Sequence, residues 1–175
     1  MTVRVFETPD APESFLQQAH ELCLRAFDGD FDPEDWEHAL GGRHFVVVDD
    51  GRVVSHASVA ERTIWVGDVP YRTGYVEAVA TDPESQGLGH GTDVVSLTGY
   101  WIRETYDLGC LGTGEHHFYE RLGWERWRGP SAVRYPDGTL VPTPDDDDSI
   151  MVLATTAPVD LTARIACEPR SGDDW

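Results

Sequence analysis

The segment Glu84-Ser85-Gln86-Gly87-Leu88-Gly89-His90-Gly91 carries the densest chemical signal in this 175-residue chain. It joins a run that reads as a strand to one that reads as a helix. At such a junction backbone N–H groups converge on one point and the helix dipole favours negative charge, so the segment suits a phosphate. Its glycines let the backbone approach the anion closely. A dinucleotide fingerprint would need a third glycine where Thr92 stands, and a Walker A loop would need a lysine, which the chain lacks. What remains is Gln-x-x-Gly-x-Gly, formed by Gln86, Gly89 and Gly91. A glycine-rich turn that only caps a helix would show the same residues.

The absent lysine also excludes a pyridoxal Schiff base and any lysine nucleophile or base. The chain has 13 basic residues, all arginine, against 32 acids, for a formal charge of −19. That balance argues against binding to nucleic acid, which needs clustered cations, and against docking on an anionic membrane. It suits a cationic substrate, or solubility alone. No apolar run is long enough to span a bilayer and the start of the chain lacks a signal-peptide core, so a cytoplasmic location is expected. Cys23, Cys110 and Cys167 have no ligand spacing. His116 and His117 adjoin Glu115 but face apart on a helix, so no metal site is expected. His56, in a strand, is expected to be structural, whereas His90 sits in the phosphate loop.

The elements that must position this loop can be read from periodicity. Val3–Phe6 reads as a strand and residues 12–28 as a helix. Asp32-Pro33-Glu34-Asp35 is a helix start that runs to Leu40 and stops at Gly41-Gly42. A meander follows: His44–Val48, the turn Asp49-Asp50-Gly51, Arg52–Arg62, then Thr63–Val66 and Val69–Thr73 around Gly67-Asp68, and Gly74–Thr81. A helix is expected from Gly89 to Tyr106 with Val94, Leu97, Trp101 and Leu108 on one stripe. A short strand Gly109–Gly112 and a helix Glu115–Leu122 come next, the latter ended by Gly123. Strands are expected near Ala132–Tyr135 and Ile150–Ala154, with little pattern over 155–175. The length fits one domain, residues 1–175, of the α/β (α+β) class.

The glycine loop resembles the acetyl-CoA pyrophosphate loop of the GCN5-related N-acetyltransferase (GNAT) superfamily. Phe118-Tyr119-Glu120-Arg121-Leu122-Gly123-Trp124 resembles that superfamily's downstream Tyr-x-x-x-Gly-Phe/Trp segment, at the expected spacing. A narrower resemblance runs from about residue 25 onward, through Gly29-Asp30-Phe31, Asp35-Trp36-Glu37-His38-Ala39-Leu40-Gly41-Gly42, Gly74-Tyr75-Val76-Glu77, Thr143-Pro144-Asp145-Asp146-Asp147 and Trp175. These segments are similar to the aminoglycoside 2′-N-acetyltransferases. The resemblance implies a GNAT fold, a mixed and mostly antiparallel sheet of about six to seven strands flanked by helices, and a homodimer.

It also implies roles. Val79, Ala80 and Thr81 would contact the pantetheine arm of acetyl-CoA, a backbone N–H near Val79 would polarise the thioester carbonyl, and Gln86, Gly87, Leu88, Gly89, His90 and Gly91 would hold the pyrophosphate. Tyr119 stands at the position of a general acid, since a phenol near pKa ~10 keeps a proton for the leaving thiolate. Glu77 would take the proton of the attacking amine, and alternation along the strand places it on the face of Tyr75 and Val79. Asp30, Asp35, Glu77, Ala78, Gly112, Asp145, Asp146, Asp173 and Trp175, with its terminal carboxylate, would line the site of a polycationic aminoglycoside. Ala78 stands where the resemblance leads one to expect Gly, Gly112 where it leads one to expect Ser, and Gln86 where Arg is frequent. Acetyl transfer to a polyamine, peptide amine or other amino sugar, or a CoA-binding module without catalysis, would use the same loop.

Overall fold

The structure is a computed structural model and describes residues 2–156 and 158–175. In chain order it contains β1 (Val3–Glu7), α1 (Glu13–Ala26), α2 (Pro33–Ala39), β2 (Arg43–Asp49), β3 (Arg52–Val66), β4 (Val69–Thr81), α3 (His90–Thr105) and β5 (Leu108–Gly112). These are followed by α4 (His116–Glu120), β6 (Glu125–Arg126), β7 (Ser131–Arg134), β8 (Leu140–Pro142), β9 (Ile150–Ala154) and β10 (Ile165–Cys167). Most elements fall where periodicity places them, but ten strands form among the described residues rather than six or seven. The two segments 52–62 and 63–66 are one strand, as are 69–73 and 74–81. Leu108 belongs to β5, not to the stripe of α3. Strands β8 and β10 are three residues each, too short to show a period.

The chain divides into two compact units: residues Met1–Ala60 with Val76–Tyr100, and residues Glu61–Tyr75 with Trp101–Trp175. In the first, β1 and β2 pair antiparallel (Val5↔Phe45), and β2 pairs antiparallel with β3 (Val46↔His56). Helix α1 packs Ala19, Leu22 and Cys23 into a core with Phe31, Val46, Val53 and Ala80. Helix α2 starts as its sequence suggests: Pro33 is its first residue, and the Asp35 carboxylate accepts the Asp32 N–H at 2.8 Å. Gly42 lies flush against β3, where a Cβ would come within 2.3 Å of the Val59 carbonyl oxygen.

In the second unit β4 runs parallel to β5 (Thr73↔Leu108, Tyr75↔Cys110), and β5 pairs antiparallel with β9, which also pairs β6. The end of β3 pairs antiparallel with β10 (Ile165↔Val66), β10 runs parallel to β7, and β7 forms a hairpin with β8. Ile64, Tyr75, Leu108, Cys110, Val133, Ile150, Val152, Ile165 and Cys167 form its core. Strands β5 and β9 are buried on both faces along most of their length, so they read as apolar runs rather than alternations.

Candidate active site

In the first unit, β4 leads into the glycine loop through Asp82. The Asp82 N–H donates to the Val54 carbonyl at 2.9 Å, and its carboxylate accepts from the Glu84 N–H at 3.1 Å. Arg25 and Arg52 reach the same carboxylate at 3.3 and 3.6 Å. That buried acid therefore starts the 3₁₀ turn Pro83–Ser85 and anchors the front of the loop. Gly87 and Gly89 have φ of 76° and 90°, a region any side chain adopts only under strain, and a Cβ on either would meet nothing within 4 Å. The loop backbone is thus exposed and left-handed where an anion would sit. Helix α3 begins at His90, with the Asp93 N–H donating to the Gly89 carbonyl.

These features fit the diphosphate of CoA. His90 is buried and its Nδ1 lacks a hydrogen-bond partner, a polar atom awaiting one. Gln86 is exposed, and its amide lies 3.5 Å from the Thr81 carbonyl, so it is free to turn towards a ligand. Leu88 is also exposed and Gly91 half-buried. Along the strand leading in, the Ser55 hydroxyl donates to the Ala80 carbonyl at 3.2 Å and lies 2.9 Å from the Thr81 hydroxyl.

The backbone between Glu77 and Val79 is not plain strand. Ala78 has φ of 50°, a left-handed conformation that costs a residue with a Cβ roughly 1–2 kcal/mol. This gives a backbone reason for the glycine expected there. It also corrects the alternation argument: the rule that residues i and i+2 share a face presumes extended backbone and does not carry across Ala78. Glu77 and Val79 are half-buried. Asp30 is exposed, at a turn closed by its N–H on the Phe27 carbonyl, and Asp35 is engaged in starting α2.

In the second unit the expected residues gather at the end of β5. A Cβ on Gly112 would lie 3.6 Å from the Trp175 carbonyl carbon and 3.8 Å from the Tyr75 hydroxyl. Trp175 is held by its indole N–H on the Thr143 hydroxyl at 3.0 Å. The acidic loop docks beside it, through the Thr113 N–H on the Ser149 carbonyl at 2.8 Å and His116 Nε2 on the Asp148 carbonyl at 2.7 Å. Within it Asp147 has a structural task, accepting from the Ser131 N–H and hydroxyl, each at 2.7 Å. Asp146 is different. Burial raises its pKa first, and the charges of Asp173, Asp145, Asp174 and Asp147 raise it further. The loop thus stores like charge that a cation would relieve.

Two residues absent from the sequence expectations hold this region. Arg62, buried, donates to the Asp174 carbonyl at 2.8 Å and the Glu168 carbonyl at 2.9 Å, with its guanidinium 4.6 Å from the Tyr75 ring centre. Arg170 Nε donates to the Asp173 carbonyl at 2.7 Å. A lone arginine in a strand gives no local sign of such a role. Tyr119, on the short α4, is buried edge-on to Phe118 and Trp124. Burial, and then the Glu115 charge, push its phenol well above the ordinary value, so it stays protonated throughout the neutral range.

The fold recurs in solved structures. The GNAT family N-acetyltransferase YhbS of Escherichia coli, solved in complex with CoA, superposes with a TM-score of 0.69 at 17% identity, covering 95% of this chain and 89% of that one. A GNAT family acetyltransferase of Brucella melitensis, solved with acetyl-CoA, gives 0.62 at 15% identity, covering 94% and 95%. Against a GCN5-related N-acetyltransferase of Kribbella flavida (TM-score 0.59, 22% identity, 74% of this chain) the chain spans only 35% of a larger protein. These define the class as the acetyltransferase fold. The acetyltransferase (GNAT) domain profile matches residues 8–127. An aminoglycoside 2′-N-acetyltransferase of Mycolicibacterium fortuitum is 37% identical over 180 residues, 99% of this chain and 92% of that protein. The chain belongs to the GNAT acetyltransferase family.

Proposed function

We propose that the protein transfers an acetyl group from acetyl-CoA to the 2′-amine of an aminoglycoside, and that residues 1–175 work as one acetyltransferase domain. The observation that carries the acceptor class is the acidic loop beside Gly112 and Trp175, where burial and the neighbouring carboxylates raise the proton affinity of Asp146. Such a cluster suits several ammonium groups at once. Each contact is worth about 4 kcal/mol gross at an effective dielectric near 20 and much less after desolvation, so several carboxylates are needed.

Bound acetyl-CoA supplies an activated thioester. The loop from Gln86 to Gly91 binds its diphosphate through backbone N–H groups, with His90 Nδ1 as a side-chain partner. Val79, Ala80 and Thr81 orient the pantetheine arm, and the Val79 N–H serves the thioester oxygen. Carboxylates hold the acceptor's ammonium groups but also raise their pKa, and only the neutral amine attacks. Glu77 therefore has to take that proton. Tyr119, kept protonated by burial, gives its proton to the leaving sulfur. Asp30, Ala78, Asp145, Asp173 and Trp175 complete the acceptor contacts, with Asp35 shaping the start of α2. A cytoplasmic, homodimeric enzyme of the antibiotic-resistance type is the corresponding biological setting.

The test is thiol release from acetyl-CoA with a panel of aminoglycosides. Release that requires a free 2′-amine is the expected result; release with polyamines alone would replace the acceptor. Glu77→Gln is expected to lower turnover roughly 10²- to 10⁴-fold with CoA affinity unchanged. Equal loss of both would remove Glu77 from the base role.

A further inference from the structure

The first unit contains a buried chain of hydrogen bonds that ends on the peptide between Ala78 and Val79. Thr8 Oγ1 lies 2.8 Å from His44 Nε2, His44 Nδ1 lies 2.9 Å from His56 Nε2, and His56 Nδ1 lies 2.8 Å from the Ala78 carbonyl oxygen. His44 and His56 are 1% and 0% exposed. They sit diagonally across the β2–β3 pair, since His56 is opposite Val46 and His44 opposite Ser58.

The direction of every proton in this chain can be worked out. A carbonyl oxygen only accepts, so His56 Nδ1 carries a hydrogen and donates it. If His56 is neutral, its Nε2 is bare and must receive a hydrogen from His44 Nδ1. If His44 is neutral too, its Nε2 must receive the hydroxyl hydrogen of Thr8. Thr8 Oγ1 in turn accepts from the Gly41 N–H at 2.9 Å. The alternative acceptor for the Thr8 hydroxyl, the Gly42 carbonyl, already receives the Thr8 N–H at 3.1 Å. With both rings neutral, the network is satisfied from end to end when both hydrogens sit on Nδ1. Burial supports this state, holding His44 near 4 against a raising charge from Glu7, and His56 near 3. Trp36 of α2 faces both rings, and Cys23 of α1 points its thiol at the same Ala78 oxygen from 3.7 Å.

The target of this chain explains its use. The peptide group is planar and trans, so the Ala78 carbonyl and the Val79 N–H point in opposite directions from one rigid plate. Gripping the oxygen aims the N–H. Hydrogen bonding to the oxygen also polarises the plate and makes the N–H a stronger donor. Ala78 needs such a grip, because its φ of 50° is otherwise unfavourable for a residue with a Cβ.

We propose that His56, backed by His44 and Thr8, is a positioning residue that holds and polarises the Ala78–Val79 peptide, so that the Val79 N–H is set for the thioester oxygen. This rests on the reading above that Val79 faces the thioester. Nitrogen-15 spectra of the wild-type imidazoles are expected to show both rings neutral with hydrogen on Nδ1, unchanged from pH 5.5 to 8; an Nε2–H tautomer or an imidazolium at either ring would overturn the proposal. Two isosteric variants then separate the links. His56→Asn keeps a donor where Nδ1 stands and is expected to retain turnover to within about threefold, whereas His56→Gln loses it and is expected to lose roughly 10- to 100-fold in kcat. CoA affinity and melting temperature should match in the two variants. Equal turnover in Asn and Gln variants would overturn the proposal.

The Val79 amide resonance keeps this test independent of the acceptor. It should shift when acetyl-CoA is added to the wild type and shift less in His56→Gln. An undiminished shift in His56→Gln would overturn the positioning role. No shift in the wild type would overturn the placement of Val79 at the thioester and the polarising role with it, while leaving the ring tautomers to decide whether the relay grips Ala78.

Discussion

In the first unit the Ala78 peptide and the glycine loop act through backbone geometry, and the acid at the front of the loop, Asp82, is paired with Arg25 and Arg52; in the second, Asp145, Asp146, Asp173 and Asp174 crowd like charges onto segments that arginines tie down. The difference follows from what each would meet. A diphosphate brings its own charge and needs N–H groups already pointing at it, so conformation does the work: φ of 76° and 90° at Gly87 and Gly89, and a buried Asp82 that starts the turn. A polycation needs carboxylates close together, which repel until it arrives. Their backbone must therefore be held from behind, by Arg62 on the Asp174 and Glu168 carbonyls and by Arg170 on the Asp173 carbonyl. Both arginines grip main-chain carbonyls.

The sharpest way to break this contrast is at the chemistry. Tyr119→Phe removes a buried phenolic proton from the second unit and is expected to cost roughly 10²- to 10⁴-fold in kcat, with CoA affinity unchanged. Stopped-flow or steady-state thiol release measures it, and a loss confined to KM would make Tyr119 a packing residue. Next, Gly89→Ala strains a backbone at φ 90° and misdirects loop N–H groups. CoA affinity by calorimetry should fall roughly 10- to 100-fold, as expected for losing a bond or two to a charged group. The melting temperature should fall by a few degrees from the backbone strain alone, because the added Cβ meets nothing within 4 Å and brings no clash.

Arg62→Met should do the reverse. It leaves two carbonyls without their charged donor, and urea unfolding should show a loss of about 2–4 kcal/mol, with the acceptor KM raised and CoA affinity intact. Unchanged stability would mean that the terminal segment is held by other contacts. The smallest effect concerns Asp146. Its folded pKa lies above the ordinary aspartate value of 3.8, so the native state binds its proton more tightly than the unfolded chain. Stability therefore falls as pH rises through the window between the two values. Asp146→Asn should raise the melting temperature at pH 7 and change it little at pH 3, while weakening acceptor binding. A lower melting temperature at pH 7 would show that the charge is compensated in the native protein.

Local sequence was sufficient where an element needs only its own residues. Asp32-Pro33 starts α2, Gly123 ends the turn after α4 with φ of 89°, and the glycine loop sits between β4 and α3. It was insufficient where partners are distant. Strand β10 is three apolar residues in a patternless tail, and it forms because β3 and β7 flank it. Asp147 and Asp146 are neighbours in one acidic run, yet the first is bound to Ser131 and the second faces its own kind. Spacing alone cannot separate them.

The sequence by itself determined the phosphate loop, the tyrosine segment and the excess of acid, because glycine φ, helix starts and net charge are properties of residues and their near neighbours. Tertiary structure decided that Ala78 turns left-handed and that His44 and His56 meet beneath it. Both depend on pairing strands remote along the chain, and burial then sets the protonation of rings that in water would titrate near neutrality.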